Sequence, residues 1–292
     1  MSTPRFVTLP PGVGRTSVQT SRGAFAALEA LPGSGVPERC PALLVPGYTG
    51  SKEDFIAVLQ TLARAGRRVV AVDMRGQYET PGPDDPAAYT RAELGADIAA
   101  LAEALGPDPV HVVGHSFGGL VTREALLSGR LKPASYTIMS SGPAGVTGRS
   151  AERARALADA IPQLGMKRIW ELHLGPDAVG RGLPQEIVDF LKARTLGNSE
   201  TGLVTMAAEL VSCPDQVDEL AKYAEDTGLR TLVIYGEDDD AWEPREQAAM
   251  AERLDAAKVV IPGAAHSPAV EAPETTASAL TDFWNHAERC TR

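Results

Sequence analysis

Between Pro109 and Leu127 the chain runs from an apolar stretch, Pro109-Val110-His111-Val112-Val113, through Gly114-His115-Ser116-Phe117-Gly118-Gly119 into Leu120-Val121-Thr122-Arg123-Glu124-Ala125-Leu126-Leu127. The first stretch is short, β-branched and bounded by Pro-Asp-Pro, so it reads as a buried strand. The last has apolar residues at helical spacing and stops at Gly129, so it reads as a helix. A strand that turns directly into a helix needs glycine at Gly114 and Gly118, where a Cβ would clash. The intervening Ser116 is then left on a sharp, strained turn at the top of a sheet. The string Gly-x-Ser-x-Gly alone is weak evidence, because a glycine-rich turn with an incidental serine reads the same way; the flanking strand and helix supply the context the motif requires.

The same grammar repeats on both sides. Ala42 to Val45 is a strand candidate, Phe55 to Ala65 a helix, Arg68 to Val72 a strand, Arg91 to Leu105 a helix and Ser135 to Met139 a strand. Near the end come Thr231 to Tyr235 (strand), Arg245 to Leu254 (helix), Lys258 to Ile261 (strand) and Pro273 to His286 (helix). Alternating β and α units imply a parallel sheet with helices on both faces. From about Pro143 to Gly228 the β-branched runs vanish. Helical stretches at Gly148 to Ile161, Pro184 to Thr195, Glu200 to Val211 and Pro214 to Ala224 replace them, separated by Gly, Pro or Asn signals. The expected organisation is an α/β core in two parts, residues 1–142 and 229–292, interrupted by an all-helical cap over 143–228. Pro32-Gly33-Ser34-Gly35-Val36-Pro37 is expected to be a surface loop linking two N-terminal edge strands.

Composition narrows the function classes. The 292 residues can bury a substantial core, and 43% apolar with 23% charged residues is ordinary for a globular protein. A net charge of −10 opposes binding to nucleic acid or an anionic membrane, both of which need clustered Lys and Arg, and points instead to a small-molecule substrate. Three widely spaced cysteines, Cys40, Cys213 and Cys290, suggest neither a disulfide framework nor a zinc site, and fit a reducing cytoplasm. No secretion signal and no membrane-length apolar run is read in the sequence. No metal or organic cofactor is expected, and a monomer or a homodimer is.

A hydroxyl becomes a nucleophile only with a base beside it and donors for the oxyanion it generates. Of five histidines, His111 lies within a strand, His115 precedes the serine and should point away from it, and His173 and His286 fall on helices. His266 sits in the small-residue loop Ile261-Pro262-Gly263-Ala264-Ala265-His266-Ser267-Pro268 beyond the last strand, where open α/β sheets assemble their sites. The orienting carboxylate is expected in Gly236-Glu237-Asp238-Asp239-Asp240, which follows the strand ending at Tyr235 and lies between Ser116 and His266 in chain order. The oxyanion donors are expected to be backbone N–H groups, one from Phe117 and one from the loop Pro46-Gly47-Tyr48-Thr49-Gly50, with Tyr48 first and Thr49 next. Trp170 and Trp242, with Met166, Leu172 and Leu174, are candidates for apolar walls of a substrate pocket, although such residues at helical spacing more often pack in a core.

Together these residues resemble the α/β-hydrolase fold family, in its cap-bearing branch of serine esterases, thioesterases, lactonases, perhydrolases and proline iminopeptidases, over about residues 40 to 285. The resemblance implies a mostly parallel, doubly wound sheet of about eight strands. In the family's Gly-x-x-Asp loop the acid falls on Asp239; Asp240 is the alternative, because Asp240 and Pro244 match an Asp-x-x-x-Pro spacing seen there. Val72-Asp73-Met74-Arg75-Gly76 is similar to the family's Asp-x-Arg-Gly turn, but Gln77-Tyr78-Glu79-Thr80 departs from its usual continuation, and the turn is read as structural. Val45-Pro46-Gly47-Tyr48 stands where relatives commonly have His-Gly, and the His-Gly-Gly-Gly loop of many lipolytic esterases is absent. A serine at position 116 argues against epoxide hydrolases and haloalkane dehalogenases of this fold, which use aspartate. The resemblance therefore implies hydrolysis of an ester, thioester or lactone by Ser116, His266 and Asp239. The same residues would also serve a lyase, a cyclase or an acyl transferase; a ligand-binding module without chemistry would be expected to have lost one of them.

Overall fold

Strands β1 (Val13–Thr20) and β2 (Gly23–Ala30) form an antiparallel hairpin closed by Ser21-Arg22. Gly23 has φ 126°, and the Thr20 hydroxyl takes the Arg22 N–H while donating to the Gly23 carbonyl. The segment 32–37 therefore follows the hairpin and leads toward the next strand, and does not join the two edge strands as expected. The hairpin turn carries no proline, so the Pro/Gly-rich segment 32–37 is the stronger turn signal in the sequence.

The computed structural model describes residues 2–290. Beyond the hairpin lie β3 (Ala42–Val45), β4 (Val69–Val72), β5 (His111–His115), β6 (Ser135–Met139), β7 (Thr231–Gly236) and β8 (Ala257–Ile261). All eight join one sheet in the order β1-β2-β4-β3-β5-β6-β7-β8, antiparallel through β4 and parallel from β4 onward. This is the α/β-hydrolase fold. The order reverses at β3, which pairs with both β4 and β5, so the loops leaving β3 and β5 diverge side by side at their carboxyl ends.

The helices are α1 (Ile56–Arg64), α2 (Arg91–Ala104), α3 (Phe117–Leu127), α4 (Gly148–Ile169), α5 (Gly175–Gly180), α6 (Gln185–Gly197), α7 (Glu200–Ser212), α8 (Val217–Thr227), α9 (Pro244–Arg253), α10 (Pro268–Glu271) and α11 (Pro273–Cys290). Successive strand side chains point to opposite faces, and the core divides accordingly. Leu43, Val45, Val70 and Val72 pack with Ile98, Leu120 and Met250 of α2, α3 and α9. Ala42, Leu44, Val69 and Ala71 pack with Leu59, Leu280 and Trp284 of α1 and α11. Both faces are covered, so these strands read as continuous apolar runs and not as alternation.

Helices α4 to α8 are inserted between β6 and β7. Helix α4 continues past the expected end at Ile161 to Ile169, across a break at Gly165 (φ 70°, ψ 155°) just after Pro162. A left-handed glycine lets the chain bend without strain, and the Met166 N–H freed by the break donates to Glu200 Oε1 at 2.6 Å.

Candidate active site

Ser116 occupies the corner between β5 and α3 with φ 55° and ψ −123°, a region that costs a non-glycine residue about 1–3 kcal/mol. The corner can exist only because its neighbours lack side chains. A Cβ on Gly114 would lie 2.4 Å from Thr122 Oγ1 and 2.6 Å from the Gly118 carbonyl, and one on Gly118 would lie 2.4 Å from the Pro46 carbonyl. The Ser116 N–H is held by the Met139 carbonyl of β6 at 2.9 Å. Its side chain is thereby turned away from the sheet ladder, toward the loop after β3.

That side chain meets a continuous hydrogen-bonded chain. His266 Nε2 lies 2.9 Å from Ser116 Oγ, and His266 Nδ1 lies 2.9 Å from Asp239 Oδ1. An ionised carboxylate can only accept, so Nδ1 carries the imidazole proton and Nε2 is free to take the serine's. Asp239 also accepts the Ala241 N–H on Oδ1 and Gln247 Nε2 on Oδ2, both at 2.9 Å. Burial opposes its ionisation, but the bonds from His266, Ala241 and Gln247 outweigh it and hold the carboxyl below its ordinary value. Asp240 points elsewhere: it is exposed, 3.5 Å from Arg153 of α4, and its carbonyl takes the Ser150 hydroxyl. Of the two acids left open by spacing, Asp239 is the one bonded to His266.

The loop after β3 lies against the serine. A Cβ on Gly47 would come within 2.8 Å of Ser116 Cβ and 3.1 Å of its Oγ, so only glycine permits this approach. Thr49 has φ 59°, which turns the chain back. Among the described residues no acceptor takes the Tyr48 N–H, and Phe117 opens α3, where N–H groups have no intrahelical partner. Two such donors, one in the residue after Ser116 and one in the loop packed against it, are suited to a developing oxyanion. The loop is braced from the turn after β4. Gln77 Nε2 donates to the Gly47 carbonyl at 2.8 Å, and Asp73 accepts the Lys52 N–H at 2.8 Å and its ammonium at 2.7 Å. Gln77, one of the residues that depart from the family's usual continuation, thus helps hold the loop beside Ser116, a contact that no local pattern in the sequence announces. Gln247 is equally silent in the sequence, since it reaches Asp239 from the first turns of α9.

A cavity of about 660 Å³ opens over Ser116 and His266. Helix α4 lines it with Ser150, Arg153, Ala154 and Leu157, one face at helical spacing, and Met166, Leu174 and Leu210 add apolar surface. Trp242 also lines it, its ring 6.1 Å from that of His266 and its Nε1 donating to the Ala144 carbonyl. Trp170 and Leu172, grouped with it as candidate walls, do not. Trp170 packs with Ala178, Ile187 and Leu191 inside the insertion, and Leu172 is exposed. His115 is 5% exposed, and burial, with the neighbouring His266 imidazole second, lowers its imidazole to about 4. His173 and His286 are exposed.

Among the described residues one group, Cys40, His111 and Glu288, brings three candidate ligand atoms within 4.8 Å of one another. It lies at the opposite end of β5 from Ser116. Arg67 and Arg39 already hold Glu288 at 2.9 and 3.1 Å, and two guanidinium groups beside the carboxylate oppose a cation. Among the described residues no helix is long and apolar enough to cross a membrane.

The family model described as "Alpha/beta hydrolase family" matches residues 42–279, and the chain belongs to that family. It is similar to a proline iminopeptidase of Lactobacillus delbrueckii subsp. lactis, 34% identical over 107 residues; the match covers 36% of this chain and 36% of that protein, so it spans about a third of the relative's length. Among solved structures it is similar to a thermophilic esterase from Thermogutta terrifontis, with TM-score 0.73 and 24% identity over 94% of this chain and 99% of that one. The enol-lactonase from Burkholderia xenovorans LB400 aligns with TM-score 0.71 and 17% identity over 92% and 100%. These structural likenesses concern the fold.

Proposed function

We propose that the protein is a serine hydrolase that cleaves a carboxylic ester, thioester or lactone of a small, largely apolar molecule through an acyl-enzyme. The observation that carries this reading is the unbroken chain from Ser116 Oγ through His266 to Asp239, 2.9 Å at each link, at the floor of the cavity.

In acylation, Ser116 Oγ bonds to the substrate carbonyl carbon while its proton passes to His266 Nε2. The carbonyl oxygen becomes an oxyanion facing the N–H groups of Tyr48 and Phe117. Collapse breaks the bond to the leaving group, which takes the proton from His266. Water then repeats the sequence with its own proton on His266 and releases the acid, restoring Ser116. Asp239 holds the imidazole in its productive tautomer and stabilises the imidazolium throughout, without itself taking the proton. The reaction needs no cofactor. The insertion, acting as a cap, would supply the apolar wall through Leu157, Met166 and Leu174.

The test is hydrolysis of p-nitrophenyl butyrate by the wild type and by Ser116→Ala. The reading predicts turnover that falls by at least about 10³-fold in the variant, the range expected when a triad member is removed. Equal turnover by the two proteins would refute it.

A further inference from the structure

The peptide group joining His266 to Ser267 is held from both sides. Its carbonyl accepts the ring N–H at Nε2 of His115 at 2.8 Å, and its N–H donates to Glu271 Oε1 at 3.3 Å. The other oxygen of Glu271 accepts the N–H of Ala265, so one carboxylate takes the amides on both sides of His266. A carbonyl can only accept, which places the single proton of a neutral His115 on Nε2. His115 is kept neutral by burial and by His266, and its ring packs edge-on to Phe55 and 5.1 Å from the ring of His266. The titratable side chains that influence it are those of His266, Asp54 and Asp239. Glu271 stands at the end of α10, where its own carbonyl takes the Arg5 guanidinium.

We infer that His115 and Glu271 together clamp the 266–267 peptide and are positioning residues for His266. The inference rests on the reading of His266 as the base of Ser116. With the Ala265 and Ser267 amides and the His266 carbonyl all fixed, the Cα–Cβ vector of His266 is fixed too, and only the side-chain torsions remain for Asp239 and Ser116 to set. His115 is also the residue immediately before Ser116, so the clamp refers base and nucleophile to one backbone segment. A short helix cap would need only the Ser267 contact. It would not explain why a buried histidine is spent on the carbonyl of the same peptide.

The experiment is the second-order rate of Ser116 phosphonylation by a fluorophosphonate, followed by intact mass, with kcat and KM for p-nitrophenyl butyrate measured in parallel. Gln places an amide donor where His Nε2 stands, and Leu places none. His115→Leu is expected to lower the labelling rate and kcat about 10- to 100-fold with KM within about twofold, the loss that a displacement of about an ångström produces. His115→Gln should recover most of that loss, and Glu271→Ala should lose about 10-fold in the same parameter. Folded His115→Leu labelled at the wild-type rate, or Gln no better than Leu, overturns the clamp. Should His115→Leu not fold, a wild-type rate in Glu271→Ala overturns it. Wild-type protein that is not labelled at Ser116 would instead refute the underlying reading of Ser116 and His266.

Discussion

Gln247 Nε2 donates to Asp239 Oδ2 at 2.9 Å and to the Trp242 carbonyl at 3.1 Å, so the carboxylate facing His266 is held on its far side by a fully buried amide. Gln247→Leu removes that donor and leaves a buried carboxylate oxygen unpaired. The expected result is a loss of about 1–3 kcal/mol in stability and roughly tenfold in kcat, read by urea denaturation and ester hydrolysis. Asp239→Asn, which cannot accept the Nδ1 proton with the same charge, should lose about 10⁴-fold in kcat. Asp240→Asn should stay within about twofold, because its exposed pair with Arg153 contributes little.

Gly47→Ala tests the approach of the loop after β3. The new methyl would meet Ser116 Cβ at 2.8 Å and the His115 carbonyl at 3.4 Å, so the loop must withdraw from the serine. Activity should fall by about 100-fold or more, the scale of losing an oxyanion donor, while circular dichroism still reports a folded protein. Wild-type kcat/KM in this variant would show that the loop's approach is irrelevant.

Arg194 of α6 is fully buried and donates to Asp54 at 3.0 Å and to the Ser2 carbonyl at 2.6 Å; Asp54 in turn accepts the Ser51 N–H. The pair thus ties the insertion to the loop beside Ser116. Arg194→Met leaves Asp54 buried and uncompensated and should cost about 3–5 kcal/mol. Adding Asp54→Asn should recover part of it, since the stranded charge is gone. Urea midpoints of the single and double variants decide this.

Glu288 gives the acid limb of stability a source. Burial works against its ionisation, but His111, Arg67 and Arg39 outweigh it and lower the carboxyl to about 2. A depressed carboxylate stabilises the fold above its unfolded value, about 4.3, and that stabilisation drains away as pH falls from there toward 2. Glu288→Gln should therefore be less stable than wild type at pH 7 and show a smaller further loss between pH 4.5 and 2.5. Parallel declines of the two proteins over that range would contradict the assignment.

The elbow and the central strands were readable because they are local: glycine spacing, β-branched runs and helical periodicity each act within a dozen residues. The helix after Ser116 begins at once, at Phe117, as a direct strand-to-helix turn demands. Choosing between Asp239 and Asp240 was beyond local spacing, since both fit a plausible pattern. What separates them is the direction of the loop, with the Ala241 N–H and Gln247 turned to Asp239 and Arg153 to Asp240. Gln77, Gln247 and the contact from His115 to the His266 carbonyl join segments 30, 8 and 151 residues apart, and no periodicity encodes such pairings. Trp170 and Trp242 look alike in sequence. One sits in a helical turn facing its own insertion, and the other sits in the loop before α9, beside the cavity. The hairpin turn at Ser21-Arg22 gives only a weak sequence signal, because polar side chains and a single glycine make it, without proline.

If Ser116 is an activated nucleophile driven by His266, an electrophilic phosphonate should mark it covalently. Intact-mass analysis after treatment with a fluorophosphonate tests it most directly. A single adduct is expected on wild type, none on Ser116→Ala, and labelling slowed by at least about 10³-fold in His266→Ala. An unlabelled wild type, an adduct that persists in Ser116→Ala, or labelling of His266→Ala at the wild-type rate would contradict it.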